Sequence, residues 1–257
     1  MLYGGMSELH ESSNPQISFD KPDAAVAARV LADLTAAHHS DAGLAAEPLA
    51  PLPHMALSRG RVHECVGPAR RSLAAVIAGA AQAEGPVLWL RPGWYGEGLC
   101  PQGLAPLLAD PGALIMVNCA RPVDILWGME EALRAGCVAL VVAEIAESPD
   151  LRQVRRLHLA AGDGLARNRA EGRLSLAPLG VLLGYEVADS RVTGVESRWA
   201  LHPLPPLAAG PPRWRLDRQL VRGLPPKDWE VHLPRSGLRP LEGAENTAQK
   251  TTAPENA

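Results

Sequence analysis

Long apolar runs are missing from this 257-residue chain, and none approaches the roughly 18 residues that a membrane-spanning helix needs. A basic leader followed by an apolar stretch is missing too. Glu8 and Glu11 stand where such a leader would be basic, so secretion is not expected. Cysteine is scarce: Cys65, Cys100, Cys119 and Cys137 lie far apart and form no CxxC pair or His-x-His cluster. Each sits in or beside an apolar run, which predicts reduced, packed thiols rather than a disulfide frame or a zinc site. Neither GxSxG nor HExxH occurs. Lysine is limited to Lys21, Lys227 and Lys250, so arginine carries most of the positive charge. What is present, 47% hydrophobic and 21% charged residues, is ordinary for a globular chain and excludes wholesale disorder. The expectation is a soluble cytoplasmic protein large enough to bury a substantial core.

The net charge of −3 conceals an uneven distribution. Residues 1–50 hold seven acids against two bases. Residues 152–173 hold six arginines against two acids, and residues 191–240 hold nine bases against four acids. A basic second half can be an electrostatic footprint for DNA or for an acidic partner, or simply a compositional preference for arginine.

Hydrophobic periodicity divides the chain into three parts. Residues 1–58 read as an acidic segment carrying one helix at Asp23–Ala37, followed by a proline-rich linker through Glu47–Pro53. Residues 239–257 contain almost no large apolar side chain and read as a disordered tail. Between them, residues 59–238 alternate short apolar strands with amphipathic helices. Strands are expected at Arg61–Val66, Val87–Leu90, Ala113–Val117 and Cys137–Val142, with helices at Arg70–Ala83, Pro122–Ala135 and Asp150–Ala161. In the first helix Leu73, Val76, Ile77 and Ala80 share one face. In the second, Pro122 and Asp124 suit the first turn, Gly136 suits the stop, and Trp127 is expected in the core. The third is expected to start from Ser148-Pro149 and to turn Leu151, Val154, Leu157, His158 and Ala161 inward, with His158 a satisfied core histidine. Further strands follow at Gly180–Val187, Ser197–Leu201, Trp214–Val221 and Trp229–Leu233. Continuous apolar strands separated by helices predict an α/β fold with a mainly parallel sheet covered on both faces. The strand-rich C-terminal half would extend that sheet by antiparallel hairpins.

In open α/β sheets ligands bind beyond the C-terminal ends of the strands, and the first strand–helix junction is the place to look. Here it reads Gly67-Pro68-Ala69-Arg70-Arg71-Ser72. A phosphate-binding P-loop needs glycines so that backbone N–H groups can wrap the phosphates, a lysine on the β/γ-phosphates, and a Ser or Thr for magnesium. This junction has one glycine and no lysine, and it is about two residues short of GxxxxGK[ST]. Gly67, Arg70, Arg71 and Ser72 therefore describe a degenerate phosphate loop, in which arginine does not reproduce a lysine's compact charge. The strand expected to carry a magnesium-binding carboxylate runs into Ala143, and Glu144 comes one position later, where it reads as a solvent-facing strand end. No catalytic residue, metal site or cofactor is expected.

Two further features bear on partners. Trp94, in the glycine-flanked loop Gly93-Trp94-Tyr95-Gly96, suits partner binding, base stacking or loop packing. Arg152, Arg155 and Arg156 share the outer face of their helix, with Arg167, Arg169 and Arg173 following. That face is either a solvated surface or a site for a protein or for DNA.

Read together, these segments resemble a known family. Asp124–Gly136 (DILWGMEEALRAG) is similar to the "WaleqaLrsG" helix of ImuA proteins, and Leu151–Ala161 (LRQVRRLHLAA) to their "lRRLqlAAe" helix. Arg198-Trp199 and Arg222–Val231 resemble the family's closing strands, and the likeness runs roughly from Arg59 to Leu233. The resemblance implies a RecA-like fold and a role as accessory factor in DNA-damage-induced (SOS) translesion synthesis and mutagenesis. It implies partners as well: an ImuB-like protein, an error-prone DNA polymerase, and RecA as a further candidate, with DNA contact open. The missing lysine favours a non-catalytic binding module. The alternatives are a divergent nucleotide-binding ATPase of the RecA superfamily and an arginine-rich DNA-binding protein.

Overall fold

The computed structural model describes residues 46–96, 98–173, 175–184, 192–206 and 212–233. The helix expected at 23–37 and the tail at 239–257 lie outside the described residues. The first described element corrects the linker reading of Glu47–Pro53. Strands β1 (Leu49–Leu52) and β2 (Met55–Leu57) form an antiparallel hairpin that pairs Leu49 with Leu57 and Leu52 with Met55. All four of these side chains are buried in the main core. His54 turns the hairpin at φ +68° and stacks on Trp229 with ring centroids 5.0 Å apart and the rings nearly parallel. Pro48, Pro51 and Pro53 are compatible with an edge hairpin, where missing N–H donors leave few ladder bonds unmade. Because the hairpin is core, Leu57→Ala should lower stability by about 2–5 kcal/mol in chemical denaturation.

Next come β3 (Val62–Val66), α1 (Arg70–Ala81) and β4 (Val87–Pro92). A single short helical turn, α2 (Pro101–Leu104), continues into a 3-10 turn at Ala105–Leu107. Strand β5 (Leu114–Cys119) leads into α3 (Pro122–Ala135), and β6 (Leu140–Glu144) into α4 (Leu151–Ala170). The chain then adds β7 (Leu179–Leu183), β8 (Ser197–Pro203), β9 (Trp214–Val221) and β10 (Lys227–Val231). Strands β3 to β10 form one eight-stranded sheet in the order β10-β9-β8-β3-β7-β6-β4-β5. From β8 across to β5 every pairing is parallel, while β9 and β10 extend the sheet antiparallel. The expected α/β architecture with a mainly parallel sheet is observed, but only β9 and β10 form the antiparallel extension, while β7 and β8, expected in it, pair parallel with β3 in the middle of the sheet.

Two cores flank the sheet. Leu73, Val76, Ile77 and Ala78 of α1 pack with the β1–β2 hairpin, Trp89 and Trp199 on one side. Ile125, Met129 and Leu133 of α3 pack with Val154, Leu157 and Ala161 of α4 on the other. Full cover stops at the edge. In β5 the expected buried run is exposed: Ile115, Met116 and Val117 face solvent at 48%, 43% and 38%. An edge strand has a neighbour on one side only, so an apolar run there is not matched by packing on both faces.

The helices differ from expectation in their outward residues. Trp127 is 63% exposed rather than core. Ile125, Met129 and Leu133 set the inward face of α3, and Trp127, two residues from both Ile125 and Met129, is carried about 200° round from each. Helix α4 starts from Asp150 rather than from Ser148. The Asp150 carboxylate accepts the Gln153 N–H at 2.8 Å, and the Gln153 side chain accepts the Asp150 N–H, a complete capping box. With that start Leu151 turns outward at 56% exposure, not inward. The helix also runs to Ala170, past Gly162 and Gly164, so Arg167 and Arg169 belong to it. Gly164 has a packing reason. A Cβ there would sit 2.0 Å from the Leu133 carbonyl oxygen, so the glycine lets the α3 and α4 backbones touch.

Candidate functional site

The junction singled out from the sequence lies at the C-terminal end of β3, next to β8. Only three residues, Gly67, Pro68 and Ala69, link β3 to α1. Gly67 has φ +86°, and a Cβ there would stand 3.1 Å from the Leu201 carbonyl oxygen of β8. Glycine is therefore needed for the turn and for the close approach of β8. The backbone N–H of Ala69 donates to Leu201 O at 3.1 Å, and that of Arg70 to Gly67 O at 3.2 Å. These donors are directed at protein carbonyls. The Arg70 guanidinium also bends back toward Gly67 O, at 3.4 Å, and Ser72 is half-buried in the first turn of α1.

Arg71 reaches across the sheet instead. Its Nη2 and Nε donate to Glu144 Oε2 at 2.7 and 3.2 Å, and Trp89 Nε1 donates to Glu144 Oε1 at 2.9 Å. Glu144 is therefore not a solvent-facing strand end. It is 2% exposed, and both its oxygens are engaged. It closes an apolar strand of the parallel sheet, and the Arg71 guanidinium from the first turn of α1 pairs with it there. A second internal pair lies further along the sheet: Arg198 of β8 donates to Glu64 of β3 and to Val192 O, with Glu64 fully buried. Both carboxylates stand in apolar strands, where the sequence alone offers no signal of a partner more than 70 residues away.

The other candidate residues are spread over the same end of the sheet. Trp94 lies in the loop after β4, 44% exposed and tilted against Tyr95 at 5.8 Å. Arg152 and Arg155 of α4 are exposed and have no ion-pair partner among the described residues. Arg156 is bound to α3 through Glu130 at 2.8 Å. Glu130 also pairs with Arg134, and although burial opposes it, hydrogen bonds from Arg134 and Arg156 hold the Glu130 carboxyl below its usual range. The basic C-terminal strands are largely self-paired. Arg213 pairs with Glu230 and Arg215 with Asp217, while Arg218 donates to Pro225 O and stands 5.2 Å over Trp229. A shallow open basin of about 390 Å³ lies on β9–β10, lined by Arg215, Asp217, Arg218, Lys227 and Asp228 among others, so both signs of charge face it.

The thiols divide rather than all packing: Cys65 and Cys119 are buried, Cys100 and Cys137 exposed, and all four are free. Burial pushes the Cys65 and Cys119 thiols up, away from reactivity. Among the described residues no cluster of three or more His, Cys, Asp or Glu side chains has the arrangement a metal ion needs, and no helix is long and apolar enough to cross a membrane.

His158 is the satisfied core histidine expected. Its Nδ1 accepts the Val62 N–H at 3.2 Å and its Nε2 faces Gly194 O at 3.0 Å, an arrangement that suits the neutral ring. Burial lowers the pKa of His158 from 6.5. Burial, with Lys227 and Arg218 nearby, lowers that of His54 as well. Unfolded, each ring takes its proton near pH 6.5; folded, only at lower pH. The unfolded chain therefore binds more protons in the window below pH 6.5, and stability should fall as pH drops through it. Melting curves between about pH 7 and 5.5 should show this fall, and His158→Asn, which keeps an acceptor for Val62 N–H, should flatten it.

Among curated proteins the chain matches Protein ImuA of Caulobacter vibrioides, in strains NA1000 / CB15N and ATCC 19089 / CIP 103742 / CB 15, with 32% identity over 148 residues in each. The chain is similar to ImuA over this stretch. The matched stretch covers 54% of this chain and 57% of the Caulobacter ImuA, so the likeness extends over little more than half of either protein. No protein-family model matches the chain. The likeness to ImuA agrees with the resemblance carried by the helices now assigned as α3 and α4.

Proposed function

We propose that this chain is a RecA-like accessory factor of DNA-damage-induced (SOS) translesion synthesis and mutagenesis. It acts by binding proteins rather than by hydrolysing nucleotide. Its partners on this reading are an ImuB-like protein and an error-prone polymerase, with RecA a further candidate. The pathway is supported by the likeness to ImuA. The non-catalytic role is supported by one observation, the Arg71–Glu144 pair. Phosphoryl transfer depends on a free cation cradling the phosphates and a free carboxylate holding magnesium. Here the candidate cation and the candidate carboxylate are bound to each other, and the N–H groups of Ala69 and Arg70 already have acceptors.

The test is hydrolysis of magnesium-ATP by the purified chain, with and without single-stranded DNA. No turnover above background is expected. Turnover that is abolished by Arg70→Ala, or by Arg71→Ala in protein shown by its melt to be folded, would overturn the non-catalytic reading and make the chain a divergent ATPase. In cells, deleting the gene should remove damage-induced mutagenesis while leaving unstressed growth unchanged, and undiminished mutagenesis would overturn the pathway.

A further inference from the structure

Helices α3 and α4 lie side by side on one face of the sheet, and three contacts fix their relative direction. Arg156 meets Glu130, Gly164 meets the Leu133 carbonyl, and Asn168 donates to Gly136 O. Both residue numbers rise together, so the helices run parallel. Their N-terminal halves, 123–130 and 151–159, therefore sit at the same end. The outward side of that end is unusual. Val123 and Trp127, four residues apart and so one above the other on α3, are 60% and 63% exposed. Leu159 on α4 is 60% exposed. Apolar side chains this open on two adjoining helices are of the kind that marks an interaction site, and an exposed tryptophan is a frequent anchor in such sites.

The arginines of α4 border the same patch. Arg152 and Arg155 face solvent, and neither has an ion-pair partner among the described residues. Arg156, one turn after Arg152, already holds a carboxylate, that of Glu130. The surface thus combines an apolar strip with two uncommitted guanidinium groups, beside a third that shows how a carboxylate is taken up there.

We propose that this face of α3 and α4 is a docking surface for an acidic amphipathic segment of a protein partner. The segment's apolar side covers Val123, Trp127 and Leu159, and its carboxylates meet Arg152 and Arg155. The inference rests on the partner-binding reading given above and assigns that reading a surface. Charge complementarity sets the sign of the occupant. The apolar strip favours protein over DNA, because aliphatic side chains gain nothing from a phosphate backbone. A helix laid on two parallel helices with anchors at i, i+3 and i+4 spacing is a recurrent recognition mode.

The test uses the full chain and two synthetic twenty-residue amphipathic helical peptides, each with leucines on one face. One is flanked by glutamates, the other by lysines. The glutamate peptide should bind and shift tryptophan emission to the blue, a shift that Trp127→Phe removes. The lysine peptide should bind at least tenfold more weakly. The double variant Arg152→Glu with Arg155→Glu should melt like the parent and reverse the preference. Equal binding of both peptides, no binding of either, or unchanged preference in the double variant would overturn the surface. A second arm measures the purified ImuB-like protein and a single-stranded oligonucleotide against the same variants. Loss of the ImuB-like protein by at least tenfold, with oligonucleotide binding unmoved, is expected. If the double variant instead loses only the oligonucleotide, the surface is a DNA site and the proposal falls. If the peptide arm succeeds while the parent chain does not bind the ImuB-like protein, the surface stands and the partner assignment above falls.

Discussion

Arg71→Ala is expected to destabilise the fold by about 3–5 kcal/mol, the range for removing one member of a buried ion pair. The loss of an attraction is the smaller part of that effect. Glu144, with a side chain only 3% exposed, would keep one hydrogen bond from Trp89 and lose the charge that compensates it in a low-dielectric site. The carboxylate would then have to take up a proton or draw in water. Glu144→Gln in the Arg71→Ala background should recover part of the loss, since a neutral amide still accepts from Trp89 without an uncompensated charge. Urea denaturation of the two single variants and the double variant reads the coupling directly. An Arg71→Ala protein as stable as the parent would mean that the guanidinium is not committed to Glu144 and is available to an anion, which would revive the phosphate-loop reading.

Arg198→Ala should have an effect of similar size, about 3–5 kcal/mol, for a related reason with different reach. Glu64 is fully buried in β3, and Arg198 ties it to β8 and to the Val192 carbonyl, so one side chain fastens β3 to the parallel neighbour on which the antiparallel extension is built. Replacing both partners by apolar residues of similar volume, Glu64→Leu with Arg198→Met, should cost far less than either single change, because no charge is left buried. Thermal melts of the three variants test this. A double variant as unstable as the worse single one would show that the guanidinium acts through Val192 rather than through Glu64.

Much of the fold was legible because its signals are local. Pro122 and Gly136 bracket α3, and Gly136 takes the left-handed φ of +65° that such a stop requires. Apolar strands separated by helices implied parallel pairing; of the four C-terminal strands expected to extend the sheet antiparallel, only β9 and β10 do, while β7 and β8 pair parallel in its middle. What was not legible depended on neighbours. Leu49, Leu52, Met55 and Leu57 look like linker residues until α1 is placed beneath them. The apolar run of β5 looks buried until the strand order puts it at an edge. Gly162 and Gly164 suggest a helix end, yet Gly164 is where α3 and α4 touch. Gly67, Arg70, Arg71 and Ser72 were singled out by their place at the first strand–helix junction. The commitment of Arg71 to Glu144, by contrast, is a contact across 73 positions that no motif encodes.

The order of the sheet also has a consequence for how the protein is made. β3 is the first strand of the large sheet to leave the ribosome, yet its two neighbours are β7 and β8, whose paired residues begin at Gly180 and Arg198. At roughly 5–20 residues per second, the nascent β3 waits on the order of ten seconds for either of them. Throughout that time it carries Glu64 without Arg198 and an apolar strand without a ladder. α1, β4, β5, α3 and β6 emerge in the interval, and β6, β4 and β5 can pair with one another while β3 stays apart from them. β7 is the strand that joins β3 to the β6-β4-β5 half, and β8, β9 and β10 are then added in turn on its other side, so a message cut short before Leu179 would leave β3 without either neighbour.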